Sequence, residues 1–148
     1  MEVLHVSNQL CFPFYAISKE ITKRYRPLLE PLHLTYPQYL VMLVLWETDQ
    51  LALKEIGKRL RLDSGTLTPL INKLISTGYI EKARNPADER QLIVQLTPAG
   101  RLLEEKAASI PEQLVELLGL TEAEYMTYQK LLTEMSVKLG LVGDKTCK

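Results

Sequence analysis

Two short helical segments joined by about three residues, with a hairpin directly behind them, leave this chain few folds to choose from. LKEIGKRL, residues 53–60, has the spacing of a brief helix. After Arg61-Leu62-Asp63 a second helix opens, running through Ser76 to a C-capping Gly78. YIEKAR and QLIVQLT then read as strands, with Leu92, Val94 and Leu96 alternating on one face, and NPADE between them has turn chemistry. The order predicts a helix-turn-helix followed by a wing.

The second helix begins strangely for one meant only to be buried. LDSGTLTPLINKL, residues 62–74, opens with Asp, Ser, Gly, two Thr and a Pro, all poor in a helix interior. In a winged helix these positions face base edges. Small hydroxyl residues allow close approach, offer donors and acceptors, and leave first-turn N–H groups open to phosphate oxygens. Asp63 or Ser64 as a plain cap is the blander reading. Helix-turn-helix before and wing after favour a DNA-binding surface of Ser64, Gly65, Thr66, Thr68, Pro69, Asn72 and Lys73, with Leu70, Ile71, Leu74 and Ile75 toward the core. Arg84 and Asp88-Glu89-Arg90 on the hairpin extend it. Arg90 at the tip suits a minor groove, and Asp88 is placed to hold its guanidinium by a charge-assisted bond.

Charge supports a local site rather than a general polycation. The chain has 18 basic and 18 acidic residues, yet residues 54–90 carry eight basic and five acidic groups, a local +3.

Upstream, Leu10, Phe14, Ile17, Ile21, Tyr25 and Leu28 predict a helix over 8–31, with Pro27 and Pro31 ending it. Pro13 leaves two placements: a helix from Ser7 bent beside Cys11, or a later start with Cys11 in the first turn. Thr35-Tyr36-Pro37-Gln38 is a capping sequence for a nearly all-apolar core helix over about 36–48. Thr97-Pro98 opens a helix that Pro111 should kink and that closes near Gly119. Thr121 to Glu124 caps a last helix ending near Gly140, before a flexible tail, 141–148. The fold class is mainly α with a small β-hairpin wing. A single domain over 1–148 contains the winged part, 36–97, and flanking helices, 8–31 and 98–140.

These residues resemble the MarR family of winged-helix repressors over essentially the whole chain, through LDSGTLTPLINKL and RNPADERQLIVQLT. The block NQLCFPFYAISKEITKRYRPLLEPLHLTYPQYLVMLVLWE is similar to the organic-hydroperoxide-resistance regulators. The resemblance implies a homodimer built on the flanking helices, a palindromic double-stranded operator, and no cofactor. It implies that organic hydroperoxides oxidise Cys11 to a sulfenic acid, and that further reaction with a low-molecular-weight thiol, or further oxidation, releases DNA. It also implies that Tyr25 and Tyr36 place hydroxyls on the sulfur. Tyr25 lies fourteen residues past Cys11 on one helix, about 21 Å along its axis. It can reach only the cysteine of a partner chain. Leu10, Phe12, Phe14 and Tyr15 would line the sensor pocket with apolar surface.

Two cysteines without paired spacing, no signal-peptide pattern and no apolar run of spanning length predict a cytoplasmic protein without membrane contact. Cys147 is read as incidental. His5 and His33 are isolated, no metal-ligand spacing appears, and no phosphate loop or serine-nucleophile motif suggests an enzyme. Two other readings remain open at this level. One is a repressor relieved by a phenolic or other small ligand. The other is a thiol peroxidase, against which stands the lack of an Arg or Thr beside Cys11.

Overall fold

The computed structural model describes residues 1–141; Cys147 and the tail from 142 lie outside them. The elements run α1 (Cys11–Leu29), α2 (Tyr36–Glu47), β1 (Leu51–Ala52), α3 (Leu53–Leu60), α4 (Ser64–Thr77), β2 (Ile80–Asn85), β3 (Asp88–Leu96), α5 (Pro98–Ala107), α6 (Ile110–Leu118) and α7 (Glu122–Lys138). The described residues form two compact units, one up to Ile110 and one from Pro111 onward.

Two 3-10 turns, Glu2–Leu4 and Val6–Asn8, precede α1. Cys11 stands in the first turn of α1 and Pro13 is its third residue, where the missing N–H has no acceptor within the helix. The later of the two possible starts is therefore the one adopted. Pro27 does not end the helix, which continues to Leu29. Less than one turn remains beyond the proline, and the cost is a single i→i−4 bond. The wholly buried Leu29 side chain holds that turn in the core, and the Leu29 carbonyl accepts from Leu34 N at 3.2 Å.

The core helix is α2. Thr35 and Gln38 close its capping box, with Thr35 N donating to Gln38 Oε1 at 2.9 Å. Tyr39, Val41, Met42, Val44 and Leu45 are all buried. Each apolar side chain so removed from water contributes about 2 kcal/mol.

Between α3 and α4 the chain turns within three residues. Arg61 takes the left-handed conformation at φ 55°, and Leu62 N donates to Gly57 O at 2.9 Å. A Cβ on Gly57 would lie 2.8 Å from the Leu62 carbonyl, so a side chain there would open the turn. Asp63 caps α4, its Oδ1 accepting from Thr66 N at 2.8 Å. Leu67, Ile71 and Leu74 form the buried stripe of α4.

The hairpin is longer than the sequence suggests, with Asn85 already paired to Asp88. Leu51–Ala52 adds a third strand, giving the order β1-β3-β2. The alternation on β3 also differs from expectation. Val94 and Leu96 are buried, but Leu92 is 59% exposed and Ile93 is buried instead. β1 pairs only with Val94 and Ile93, so Leu92 lies beyond the covered part of the sheet.

Thr97 caps α5, its hydroxyl accepting from Gly100 N at 3.1 Å and donating to Gly78 O at 2.6 Å. Pro111 does not kink one long helix. The helix stops at Ala107 and a new one starts at Ile110, which puts the proline in a first turn. In the second unit, Thr121 and Glu124 form the capping box of α7. Met126, Tyr128, Leu131 and Leu132 on α7 are exposed.

Candidate functional site

The first face of interest belongs to α4. Burying Leu67, Ile71 and Leu74 turns Ser64, Gly65, Thr66, Pro69, Asn72 and Lys73 outward, all exposed, while Thr68 is half-buried. Pro69 lies inside the helix, and its missing N–H leaves the Gly65 carbonyl without its i+4 donor. Asp63 holds the first turn by accepting from both the backbone N–H and the hydroxyl of Thr66. Those two bonds, the backbone one foremost, keep its carboxyl below the ordinary value.

The wing is ordered by its own polar groups. Asn85 Oδ1 accepts from Ala87 N at 2.9 Å, and Arg84 Nη1 donates to Glu89 O at 2.9 Å. Asp88 does not hold the Arg90 guanidinium. Its Oδ1 accepts from Arg90 N at 3.1 Å, and among the described residues no ion pair joins the two. The carboxylate shapes the strand start, and the exposed Arg90 side chain stays available for another anion.

The second site is divided between the ends of α1. Near the C-terminal end, Tyr25 meets Tyr36 of α2, with ring centroids 4.7 Å apart. Burial pushes the Tyr36 phenol above its ordinary value, which keeps it an O–H donor well past neutral pH. At the other end Cys11 is exposed. Leu10, Phe12, Phe14 and Tyr15 around it are 70%, 44%, 39% and 61% exposed, so within one protomer they are open surface and enclose no pocket. The helix length keeps Cys11 roughly 21 Å from the tyrosine end of its own chain.

A further group of interactions carries almost no local sequence signal, because it joins residues about fifty positions apart. Tyr25 and Tyr36 continue through Tyr39 to Trp46, whose Nε1 donates to Gly100 O at 2.9 Å. Gly100 also lets the chain at Tyr79 pass close by: a Cβ there would run into the Tyr79 carbonyl. Beside it Asp49 accepts from Leu96 N at 2.9 Å and pairs with Arg101 at 2.7 Å. The end of α2 is thereby bound to the base of the wing and the start of α5. Only the capping pattern at Thr97 and the single tryptophan hint at this junction.

Among the described residues no cluster of His, Cys, Asp and Glu could hold a metal, and no helix is long and apolar enough to cross a membrane.

Known proteins resemble this chain in sequence and in fold. A family model described as "Transcriptional regulator SarA/Rot" matches residues 23–107. The organic hydroperoxide resistance transcriptional regulator of Bacillus subtilis is 48% identical over 96% of this chain and 95% of its own length. Reduced AbfR of Staphylococcus epidermidis bound to DNA superposes with a TM-score of 0.78 at 33% identity, covering 95% of this chain and 96% of that one. A mutant MarR from E. coli complexed with operator DNA gives 0.73 at 25% identity, covering 85% and 92%.

Proposed function

We infer a function from one premise: the chain belongs to the MarR family of winged-helix transcriptional regulators. We propose that it is a redox-sensing repressor of the cytoplasm and not an enzyme. As a homodimer it binds a palindromic operator, and it releases that DNA when organic hydroperoxides oxidise Cys11. The relative from Bacillus subtilis carries organic hydroperoxide resistance in its name, and AbfR has been seen bound to DNA in reduced and overoxidised forms.

The observation that carries the redox half is the split of α1, with an exposed Cys11 at one end and the Tyr25–Tyr36 pair at the other. An antiparallel partner helix brings each cysteine to the other chain's phenols. It also covers Leu10, Phe14 and Ile17, which stand uncovered here. The Cys11 sulfur attacks the terminal oxygen of ROOH. The O–O bond breaks, the sulfur leaves as S–OH, and the alcohol ROH carries away the other oxygen. A small thiol then condenses with S–OH to a mixed disulfide and water. Oxidation changes the size of the sulfur and its hydrogen bonding to the tyrosines, and their displacement passes to the recognition helices as a rotation of the protomers.

On the DNA side, Ser64, Gly65, Thr66, Thr68, Pro69, Asn72 and Lys73 enter the major groove, while Arg84 and Arg90 take the wing into the flanking minor groove. Asp88 acts by fixing the backbone under Arg90. The test is DNA binding before and after one equivalent of an alkyl hydroperoxide with excess small thiol. Wild type should bind and then release. Cys11→Ser should bind equally and hold on; release by that variant would refute the redox half.

A further inference from the structure

The exposed cations of the helix-turn-helix are not equivalent. Arg59 on α3 is satisfied inside the protomer: it bonds the Thr48 hydroxyl at 3.0 Å and lies 3.9 Å from both Glu47 and Glu55. Lys54, Lys58 and Arg61 have no such partners, and among the described residues none of them makes an ion pair or a side-chain hydrogen bond. All three are exposed, and all three line one cleft of about 540 Å³. Leu53, Leu62 and the buried Leu67 supply its apolar wall, and no acidic side chain lines it.

Lys54 and Lys58 are one helical turn apart, about 6 Å along the axis, and Arg61 follows where the chain leaves the helix. The left-handed backbone at Arg61 swings the chain into the tight turn that begins α4. Ser64, the first residue of α4, also lines the cleft. The cationic row is therefore continuous with the outward face of α4, and it borders that face on the side of α3.

We infer that Lys54, Lys58 and Arg61 form a phosphate-binding rail that grips one backbone strand of duplex DNA while α4 occupies the adjacent groove. This rests on the DNA-binding reading above and extends it to residues outside α4 and the wing. Charge complementarity selects the occupant. Duplex DNA presents about one negative charge per 1.7 Å of axis, and a row of unpaired cations in a cleft that no acidic side chain lines matches a run of phosphates. The apolar wall supports the lysine stems while their ammonium groups reach outward. Such interactions fix register and orientation and carry no sequence information.

The experiment measures binding of the reduced protein to a duplex that it has itself selected from a random library, across a series of salt concentrations. The triple variant Lys54→Gln, Lys58→Gln, Arg61→Gln keeps much of each side chain's length and removes the charge. Its affinity should fall at least tenfold at low salt, and the slope of log affinity against log salt should become shallower by about five for the dimer, near 0.9 for each phosphate no longer neutralised. Sequence preference in the library should stay unchanged. Lys106→Gln on α5, an exposed cation away from the cleft, should leave the slope as it is. Circular dichroism and thermal melting of the triple variant check its fold, and the three single variants repeat the slope measurement with smaller perturbation.

If the triple variant binds with wild-type affinity and slope while Arg90→Ala weakens binding, the rail is wrong and the DNA-binding reading stands. If a small anionic amphiphile displaces DNA from wild type but not from a triple variant of unchanged DNA affinity, the cleft is an effector site and the rail is again wrong. If wild type selects no duplex at all, the underlying reading fails with it.

Discussion

The two ends of α1 obey different rules. Its last turn belongs to the protomer: Leu29 is wholly buried, and Tyr25 and Leu28 pack against the same core. Its first turns are uncovered among the described residues, with Leu10, Phe14 and Ile17 exposed beside Cys11. One apolar spacing runs the length of the helix, yet only half is used to fold a single copy. The difference teaches that folding uses only part of this periodicity; in the proposed dimer the remainder, with the cysteine beside it, is covered by assembly.

Substitutions at the two ends should therefore fail in different ways. Leu29→Ala removes a filled core position and should lower unfolding free energy by about 2–5 kcal/mol, the same at every protein concentration, as read by urea titration. Ile17→Glu places a charge on the assembly face. It should weaken self-association by about 2 kcal/mol or more, roughly 30-fold in the dimer constant by sedimentation. Equal concentration dependence in the two variants would erase the distinction between the ends.

Smaller effects sharpen the comparison. Trp46→Phe deletes the bond to the Gly100 carbonyl and should cost about 1 kcal/mol, while self-association stays unchanged. The smallest is a pH effect at Asp63. Its carboxyl is held below the ordinary value, near 3.9, by the Thr66 bonds, so the stabilisation is present above that value and is lost as pH falls through the depressed one. Asp63→Asn keeps one capping acceptor and should flatten that acid limb in a pH series of melting temperatures, through a small loss near neutral pH that vanishes in acid.

Much of the fold is legible in the chain because it is local. Thr35 with Gln38, Asp63, Thr97 and Thr121 with Glu124 are caps written within four residues, and each closes where its pattern predicts. Elements whose fate depends on distant partners are harder to read. Pro27 is tolerated because Leu29 is anchored, and Leu92 is exposed because β1 stops short. Asp88 holds a different group of Arg90 from the one expected, since spacing alone does not separate a guanidinium from a backbone N–H. The Trp46–Gly100 and Asp49–Arg101 bonds span 54 and 52 residues and leave no local trace. Cys11, Tyr25 and Tyr36 stand out through resemblance and not through spacing.

In the proposed sensor one chain's Cys11 is served by the other chain's tyrosines, and a mixed dimer puts this to the test. One protomer carries Cys11→Ser with both tyrosines intact. The other carries Tyr25→Phe and Tyr36→Phe with its cysteine intact. Sulfenic acid formation is then followed by trapping and mass analysis after one equivalent of alkyl hydroperoxide. If the sensor is built across the interface, the surviving cysteine faces intact tyrosines and reacts at the wild-type rate, faster than in the Tyr25→Phe, Tyr36→Phe homodimer. A rate no higher than that homodimer's would contradict this, because the cysteine would then not be served by its partner's tyrosines.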